Sequence, residues 1–174
     1  MKMRIRHITC FKCPDVKGLL NVIHSDVWGP VQTPTIRGCR YYTTFIDDYS
    51  WYTWIFPMKK KSEVLSHFQK LKSQVKKETV WHVWCLHSDG GKEYFSDEFT
   101  SYLQREGIQR EFSCRYTSRQ NGVAERKNLH IREVARAILH EKHMLKFYWT
   151  GATSIIVYVP SYFQREGIQR EFSC

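Results

Sequence analysis

Apolar and polar positions change spacing along this chain, and each change marks a predicted element. Segments rich in apolar, aromatic and β-branched residues predict five strands, over 19–26, 40–48, 51–58, 80–89 and 108–114. Segments with apolar residues three and four positions apart predict helices over 60–78, 96–107 and 123–142. The apolar segment 147–159 predicts a helix or a strand, since its length fits both.

The order of these elements predicts the fold class. Only two residues separate 40–48 from 51–58, which favours a β-hairpin. Three strands joined by short connections predict an antiparallel arrangement, whereas strands that follow helices suit parallel addition to the same sheet. We therefore expect an α/β fold: a mixed five-stranded sheet, with three antiparallel strands followed by two parallel strands, flanked by helices.

Composition and charge narrow the class of protein. Apolar residues make up 42% of the 174 residues, which is enough for a core. No apolar run approaches the ~20 residues of a membrane helix, and the basic start "MKMRIRHITC" precedes no apolar signal segment. The net charge of +10 favours a polyanionic partner, nucleic acid first, although an unspecific basic surface explains charge alone equally well. Without a secretory signal, we expect the six cysteines to be reduced thiols.

Two stretches place an aspartate in the same local setting. "IHSDVWGP" contains Asp26 and "LHSDGGKEY" contains Asp89, each predicted to end a strand. If the two strands are neighbours, their carboxyl ends bring the carboxylates together. Glu125, 35 residues beyond Asp89, is the best candidate for a third acid. Three carboxylates suit two Mg²⁺ ions in phosphoryl transfer, although each acid alone has an ordinary explanation in a turn or helix.

The motifs together resemble a known family. "IHSDVWGP", "YYTTFIDDYSWYTWIFPMKKKSEV", "LHSDGGKEYFSDEF" and "QNGVAERKN" are similar, in this order, to the integrase core of copia-type LTR retrotransposons. The resemblance implies an RNase H-like fold and a polynucleotidyl transferase that joins element cDNA to target DNA. By the resemblance, Asp26, Asp89 and Glu125 hold two Mg²⁺ or Mn²⁺ ions. It also implies DNA and further copies of the chain as partners, no membrane partner, and an intracellular location in the nucleus after a cytoplasmic particle stage.

The same motifs imply roles for further residues, and each of these residues also has a purely structural explanation. Gln120 and Asn121 would contact nucleic acid or cap the following helix. Lys127 and Arg132 would meet phosphates or lie on a solvated helix face. Asp48 matches an acidic position of the family, but closing the hairpin turn is the preferred interpretation.

The sequence departs from the family at both ends. We interpret 1–18 as the remnant of a zinc-binding region, 19–158 as the catalytic core, and 159–174 as a tail that copies 101–114. His7, Cys10 and Cys13 offer at most three of the four ligands of a structural zinc site, so zinc is not expected to bind stably. Leu129 stands where the family usually has an arginine. These departures predict a truncated or decayed copy.

Two alternatives stay open at this point. One is a catalytically inactive relic that binds nucleic acid through its charge. The other is a ribonuclease of the same fold, which the flanking motifs disfavour.

Overall fold

The computed structural model describes residues 18–112 and 118–158 of the chain. The predicted zinc remnant at His7, Cys10 and Cys13 and the duplicated tail at 159–174 lie outside these residues. Within the described ranges, the helices include none that is long and apolar enough to cross a bilayer.

Five strands form one mixed sheet, as the order of the sequence segments predicts. The strands are β1 (Val22–Trp28), β2 (Tyr41–Asp47), β3 (Thr53–Met58), β4 (Cys85–Ser88) and β5 (Gln109–Phe112). Their spatial order is β3-β2-β1-β4-β5, with β1, β2 and β3 antiparallel and with β4 and β5 parallel to β1. This is the predicted RNase H-like arrangement, and it makes β1 and β4 neighbours at the centre.

Helices cover both faces of the sheet. They are α1 (Val64–Glu78), α2 (Asp97–Arg105), α3 (Ser118–Glu141) and α4, which the structure describes over 149–158. The predicted cap of α2 is confirmed, since the Ser96 hydroxyl accepts a hydrogen bond from the backbone N–H of Phe99 at 3.2 Å. The ambiguous apolar segment near the C-terminus is helical.

Each face of the sheet has its own core. On one face, side chains of α1 and α2 pack on alternate residues of the strands, and the cluster includes Ile23, Phe45, Phe68, Leu86 and Phe99. On the opposite face, the rings of Trp28 and Tyr42 pack against Trp149 of α4, and residues of α3 contact β1 and β2. Functional side chains on this second face are therefore held between the sheet and α3.

Several predicted elements had wrong boundaries, and three of these elements carry residues of the candidate site. The strand predicted over 80–89 is limited to Cys85–Ser88, because only this part pairs with both neighbours. Strand β1 begins at Val22 and continues to Trp28, since its pairing with β2 extends to Trp28 and Tyr42. Asp26 consequently lies inside β1 rather than at its end.

The third wrong boundary concerns α3, which begins at Ser118 instead of after Gly122. Gly122 is buried, and the guanidinium of Arg126 lies 3.2 Å from where a Cβ would stand. A glycine in a helix is disfavoured by its backbone entropy, so the sequence pattern predicted a helix only after Gly122.

The expectation of reduced thiols is also corrected at one position. Cys85 is disulfide-bonded, whereas Cys39 is free.

Candidate active site

Two aspartates lie side by side on the second face of the sheet. Parallel pairing matches His24 with His87 and Ser25 with Ser88. Asp26 directly follows Ser25, and Asp89 directly follows Ser88. The alternation of side chains along a strand places both aspartates on the face occupied by the two histidines. The sequence prediction that these two carboxylates meet is therefore supported by the register of β1 and β4.

Asp26 is held by hydrogen bonds to both of its carboxylate oxygens. The backbone N–H of Val27 donates to Oδ1 at 2.8 Å, and the side-chain amide of Asn128 donates to Oδ2 at 2.7 Å. Asn128 is itself buried, and its Oδ1 accepts from the hydroxyl of Thr44 at 3.0 Å. Thr44 faces Asp26 across the β1–β2 pair, so β2 and α3 together fix the orientation of this carboxylate.

Asp89 is less favourably placed for carrying a negative charge. Burial raises the pKa of its carboxyl group above the ordinary value, and the nearby charge of Asp26 raises this pKa further. The backbone N–H of Gly91, which donates to Oδ1 at 3.3 Å, acts in the opposite direction. Both aspartates remain partly accessible. Two adjacent carboxylates that repel each other provide hard oxygen ligands whose repulsion a divalent cation relieves.

Tyr94 lies behind the aspartates, in the core on the other face of the sheet. Its hydroxyl is hydrogen-bonded to that of Ser25 at 2.6 Å. Burial raises the pKa of the phenol well above its ordinary value, and the charges of Asp26 and Asp89 add to this effect. Tyr94 therefore stays a neutral phenol beside two acids. Although it ends the motif that contains Asp89, its hydroxyl partner on β1 could not be read from the sequence.

Glu125 lies on α3, one turn before Asn128. Residues three positions apart on a helix share a face, and Asn128 contacts Asp26, so the turn that carries Glu125 borders the site. The Glu125 side chain is exposed. Among residues 18–112 and 118–158, the structure assembles no group of three acids, histidines or cysteines arranged to hold a metal ion. The structure therefore brings Asp26 and Asp89 together and places Glu125 nearby on the helix, outside such a group.

The predicted DNA-contacting residues occupy different settings. Gln120 and Asn121 lie in the first turns of α3 rather than at the end of a loop. Their side chains are not among those that the structure describes. Lys127 is half-buried, and burial lowers the pKa of its amine. The guanidinium of Arg132 lies 5.8 Å from the centre of the Trp28 ring. Arg132 thus packs on the aromatic core of this face instead of on a fully solvated helix surface.

His24 and His87 form a buried pair on the face that carries the aspartates, and the sequence did not predict this contact. The Nδ1 atoms of His24 and His87 are 3.3 Å apart, and Nε2 of His24 lies 2.8 Å from Oδ1 of Asp48. Closing the hairpin turn falls instead to Asp47, whose Oδ2 accepts from the backbone N–H and the hydroxyl of Ser50. The preferred interpretation of Asp48 was therefore wrong. The sequence signal for the contact between His24 and His87 was the triplet "HSD", which occurs at 24–26 and again at 87–89.

The comparisons with known proteins concern the family and the fold of the chain. The model of the integrase core domain family matches residues 20–118. The Retrovirus-related Pol polyprotein from transposon TNT 1-94 of Nicotiana tabacum is 38% identical over 141 residues, which cover 81% of this chain and 11% of that protein. The corresponding polyprotein from transposon RE2 of Arabidopsis thaliana is 37% identical over 141 residues, or 80% and 9% of the two chains. The chain thus spans about a tenth of these curated relatives.

Solved structures share the fold at low sequence identity. A chain of the simian T-cell lymphotropic virus intasome, solved with PP2A regulatory subunit B56 gamma, superposes with a TM-score of 0.64 at 16% identity, covering 80% of this chain and 47% of that one. The HTLV-2 integrase catalytic core domain, solved in complex with magnesium, gives 0.57 at 18% identity, covering 80% and 83%. Because the family model matches more than half of the sequence, this chain belongs to the integrase core domain family, with transposon Pol polyproteins among its relatives.

Proposed function

We propose that this chain catalyses metal-dependent polynucleotidyl transfer, joining retrotransposon cDNA ends to target DNA. The observation that carries the proposal is the position of Asp26 and Asp89, each directly after the last registered pair of the parallel strands β1 and β4, where burial and the charge of Asp26 raise the pKa of Asp89. Family membership supports DNA integration as the general role. The assignment to this reaction rests on the chemistry that two such carboxylates can perform.

Asp26 and Asp89 would hold the metal, with Glu125 as the third ligand. Mg²⁺ and Mn²⁺ prefer carboxylate oxygens, and both aspartates present accessible oxygens on one face. When bound, two such ions would activate the attacking oxygen and stabilise the leaving oxygen of an in-line displacement. The HTLV-2 core domain was solved with magnesium, which favours the same choice of ion here.

The residues of the chain contribute orientation rather than proton transfer. Asn128 fixes Oδ2 of Asp26, and Val27 fixes Oδ1, so the outward-facing lone pairs have a defined direction. Tyr94, fully buried on the other face of the sheet, holds the hydroxyl of Ser25, the residue before Asp26 on β1. The nucleophile would be water during end processing and a DNA 3′-hydroxyl during joining.

The partners follow from the same proposal. DNA would enter along α3, where Gln120, Asn121, Lys127 and Arg132 lie on the helix that borders the acids. The net charge of +10 favours binding to phosphates. We place the working form in a homo-oligomer, since one solved neighbour is described as an intasome and others as dimeric and trimeric forms. The proposed reaction with target DNA would take place in the nucleus.

The test uses the full chain, a labelled duplex with the element end, and Mg²⁺ or Mn²⁺. We expect nicked and joined products that EDTA abolishes and that Asp89→Asn eliminates. Asp97→Asn, an exposed acid at the start of α2, is the matched control and should retain activity. Products that persist in Asp89→Asn, or no products from the wild type in either metal, would overturn the proposal.

A second candidate is an inactive nucleic-acid-binding relic of an integrase. It is favoured by Leu129, which exposes an apolar side chain one turn after Glu125, and by the lack of a three-residue metal group among the described side chains. Salt-dependent DNA binding without metal-dependent products in the same assay would support it. Cleavage of an RNA–DNA hybrid instead of the duplex would indicate a ribonuclease.

A further inference from the structure

Four large aromatic side chains are exposed at the end of the sheet opposite the aspartates. Tyr49 and Trp51 lie in the β2–β3 turn, and Trp81 and Trp84 lie in the segment that leads into β4. Trp84, at 63% exposed, is the most open of the four. We call these four residues the aromatic edge. Exposed tryptophans in one region of a surface are uncommon without a partner.

Backbone hydrogen bonds place the two halves of this edge beside each other. The N–H of Trp84 donates to the carbonyl of Leu20 at 3.4 Å, and the N–H of Leu20 donates to Oδ1 of Asp47 at 2.8 Å. Leu20 therefore lies between the start of β4 and the β2–β3 turn. Strands in a sheet are about 4.8 Å apart, so the turn and Trp84 are separated by roughly 10 Å.

The backbone at the edge is fixed, although its side chains are open. The carbonyl of Trp84 accepts from the N–H of Gln109 at 2.8 Å. Between the tryptophans, Val83 is buried in the same cluster as Val75 of α1, which anchors the connecting segment. The aromatic rings are thus presented by an ordered scaffold, so binding to them would require little ordering of the chain.

The charges around the edge favour a polyanion. Lys76 and Lys77, in the last turn of α1, are exposed just before Trp81. The nearby carboxylates of Asp47 and Asp48 are directed inward, to Ser50 and His24. Glu78 is an exposed acid in the same turn, hydrogen-bonded by the amide of Gln74 at 3.1 Å.

We propose that the aromatic edge, with Lys76 and Lys77, binds single-stranded nucleic acid by stacking bases on its rings. Aromatic faces accept any base, and lysines bind the backbone phosphates without sequence preference. The surface is separate from the acidic pair: Trp84 and Asp89 flank β4 and are about 16 Å apart along the strand. The edge would hold an unpaired strand while duplex DNA occupies the acidic face.

The experiment measures binding of the full chain to fluorescein-labelled dT20 by anisotropy, with EDTA present. We expect Trp81→Ala combined with Trp84→Ala to weaken binding by about tenfold or more. Substituting both by phenylalanine should restore most of the affinity. The matched control changes Tyr148 and Tyr158, two exposed tyrosines on the C-terminal part of the structure, to alanine and should leave affinity unchanged.

Salt dependence and self-association separate the outcomes. Lys76→Gln with Lys77→Gln should reduce the slope of log affinity against log salt by about 1.4, or roughly 0.7 for each phosphate that a lysine no longer neutralises. If the tryptophan variant binds dT20 as the tyrosine control does, the proposal is overturned. A change in sedimentation without a change in dT20 affinity would identify a protein interface and would also overturn it. Wild type that binds dT20 but forms no joined products would contradict the proposed function alone.

Discussion

Asn128 and Asp26, 102 residues apart in the chain, are joined by a 2.7 Å hydrogen bond from the side-chain amide to Oδ2. The same amide group accepts from Thr44, so one buried residue of α3 connects two strands. This bond links the stability of the fold to the geometry of the site, because the helix that carries Glu125 is anchored through a side chain that also orients Asp26.

We expect Asn128→Ala to lower both stability and activity. Removing the amide leaves the carboxylate of Asp26 and the hydroxyl of Thr44 without this partner, which should cost about 2 kcal/mol in the free energy of unfolding. Urea denaturation at neutral pH measures the loss. Leu129→Ala, at the neighbouring exposed position, is the control and should change this free energy by less than about 0.5 kcal/mol. Equal effects of the two substitutions would show that the hydrogen bonds contribute little.

Asp89→Asn should stabilise the metal-free protein at neutral pH while abolishing the proposed activity. The pKa of Asp89 is raised on folding, so the folded protein binds this proton more tightly than the unfolded chain does. The resulting stability is present below the unfolded pKa of 3.8 and is lost as pH rises through the folded pKa. The side chain of Asp89→Asn cannot ionise, so this variant should not lose stability as the pH rises.

The measurement for Asp89 is urea denaturation in EDTA across acidic to neutral pH. Asp97→Asn serves as control, because Asp97 interacts favourably with the start of α2 and its loss should destabilise by about 0.5 kcal/mol. If Asp89→Asn is less stable than the wild type at pH 7, burial and repulsion do not dominate at this site.

Sequence patterns predicted the order of elements because local spacing and short connections determine it. The two residues between 40–48 and 51–58 predicted the hairpin, and the HSD triplets predicted a meeting of Asp26 with Asp89. Apolar content, however, does not reveal exposure. The tryptophans of the predicted strand 80–89 lie outside the ladder, and Trp84 is largely exposed.

The side-chain contacts between distant segments could not be predicted from the sequence, for a physical reason. The contacts of Asn128 with Asp26 and of Tyr94 with Ser25 join segments whose relative placement depends on the whole sheet. The contact of Arg132 with the ring of Trp28 on β1 likewise depends on tertiary structure. Charge and helical position alone do not reveal such a contact.

His87 should make the protein less stable on mild acidification. Burial, followed by the neighbouring His24, lowers the pKa of the His87 imidazole on folding. The unfolded chain therefore binds this proton more readily, so stability is full above the unfolded pKa of 6.5 and falls as pH decreases below it. His87→Gln should flatten the decline between pH 7.5 and 5.5 in thermal melts. His140 is exposed near the end of α3, so His140→Gln should leave the decline as in wild type. A decline that flattens in His140→Gln and not in His87→Gln would show that His87 does not cause the loss of stability.

Glu125→Gln should separate metal binding from folding. Because this side chain is exposed, the free energy of unfolding in EDTA should stay within about 0.5 kcal/mol of wild type. A ligand present at ten times its dissociation constant stabilises the folded state by about 1.4 kcal/mol, so Mn²⁺ should raise the melting temperature of wild type. That rise should largely disappear in Glu125→Gln and persist in Glu133→Gln, an exposed acid two turns along α3. A full Mn²⁺ response in Glu125→Gln would remove Glu125 from the proposed ligands and leave the two aspartates as the metal site.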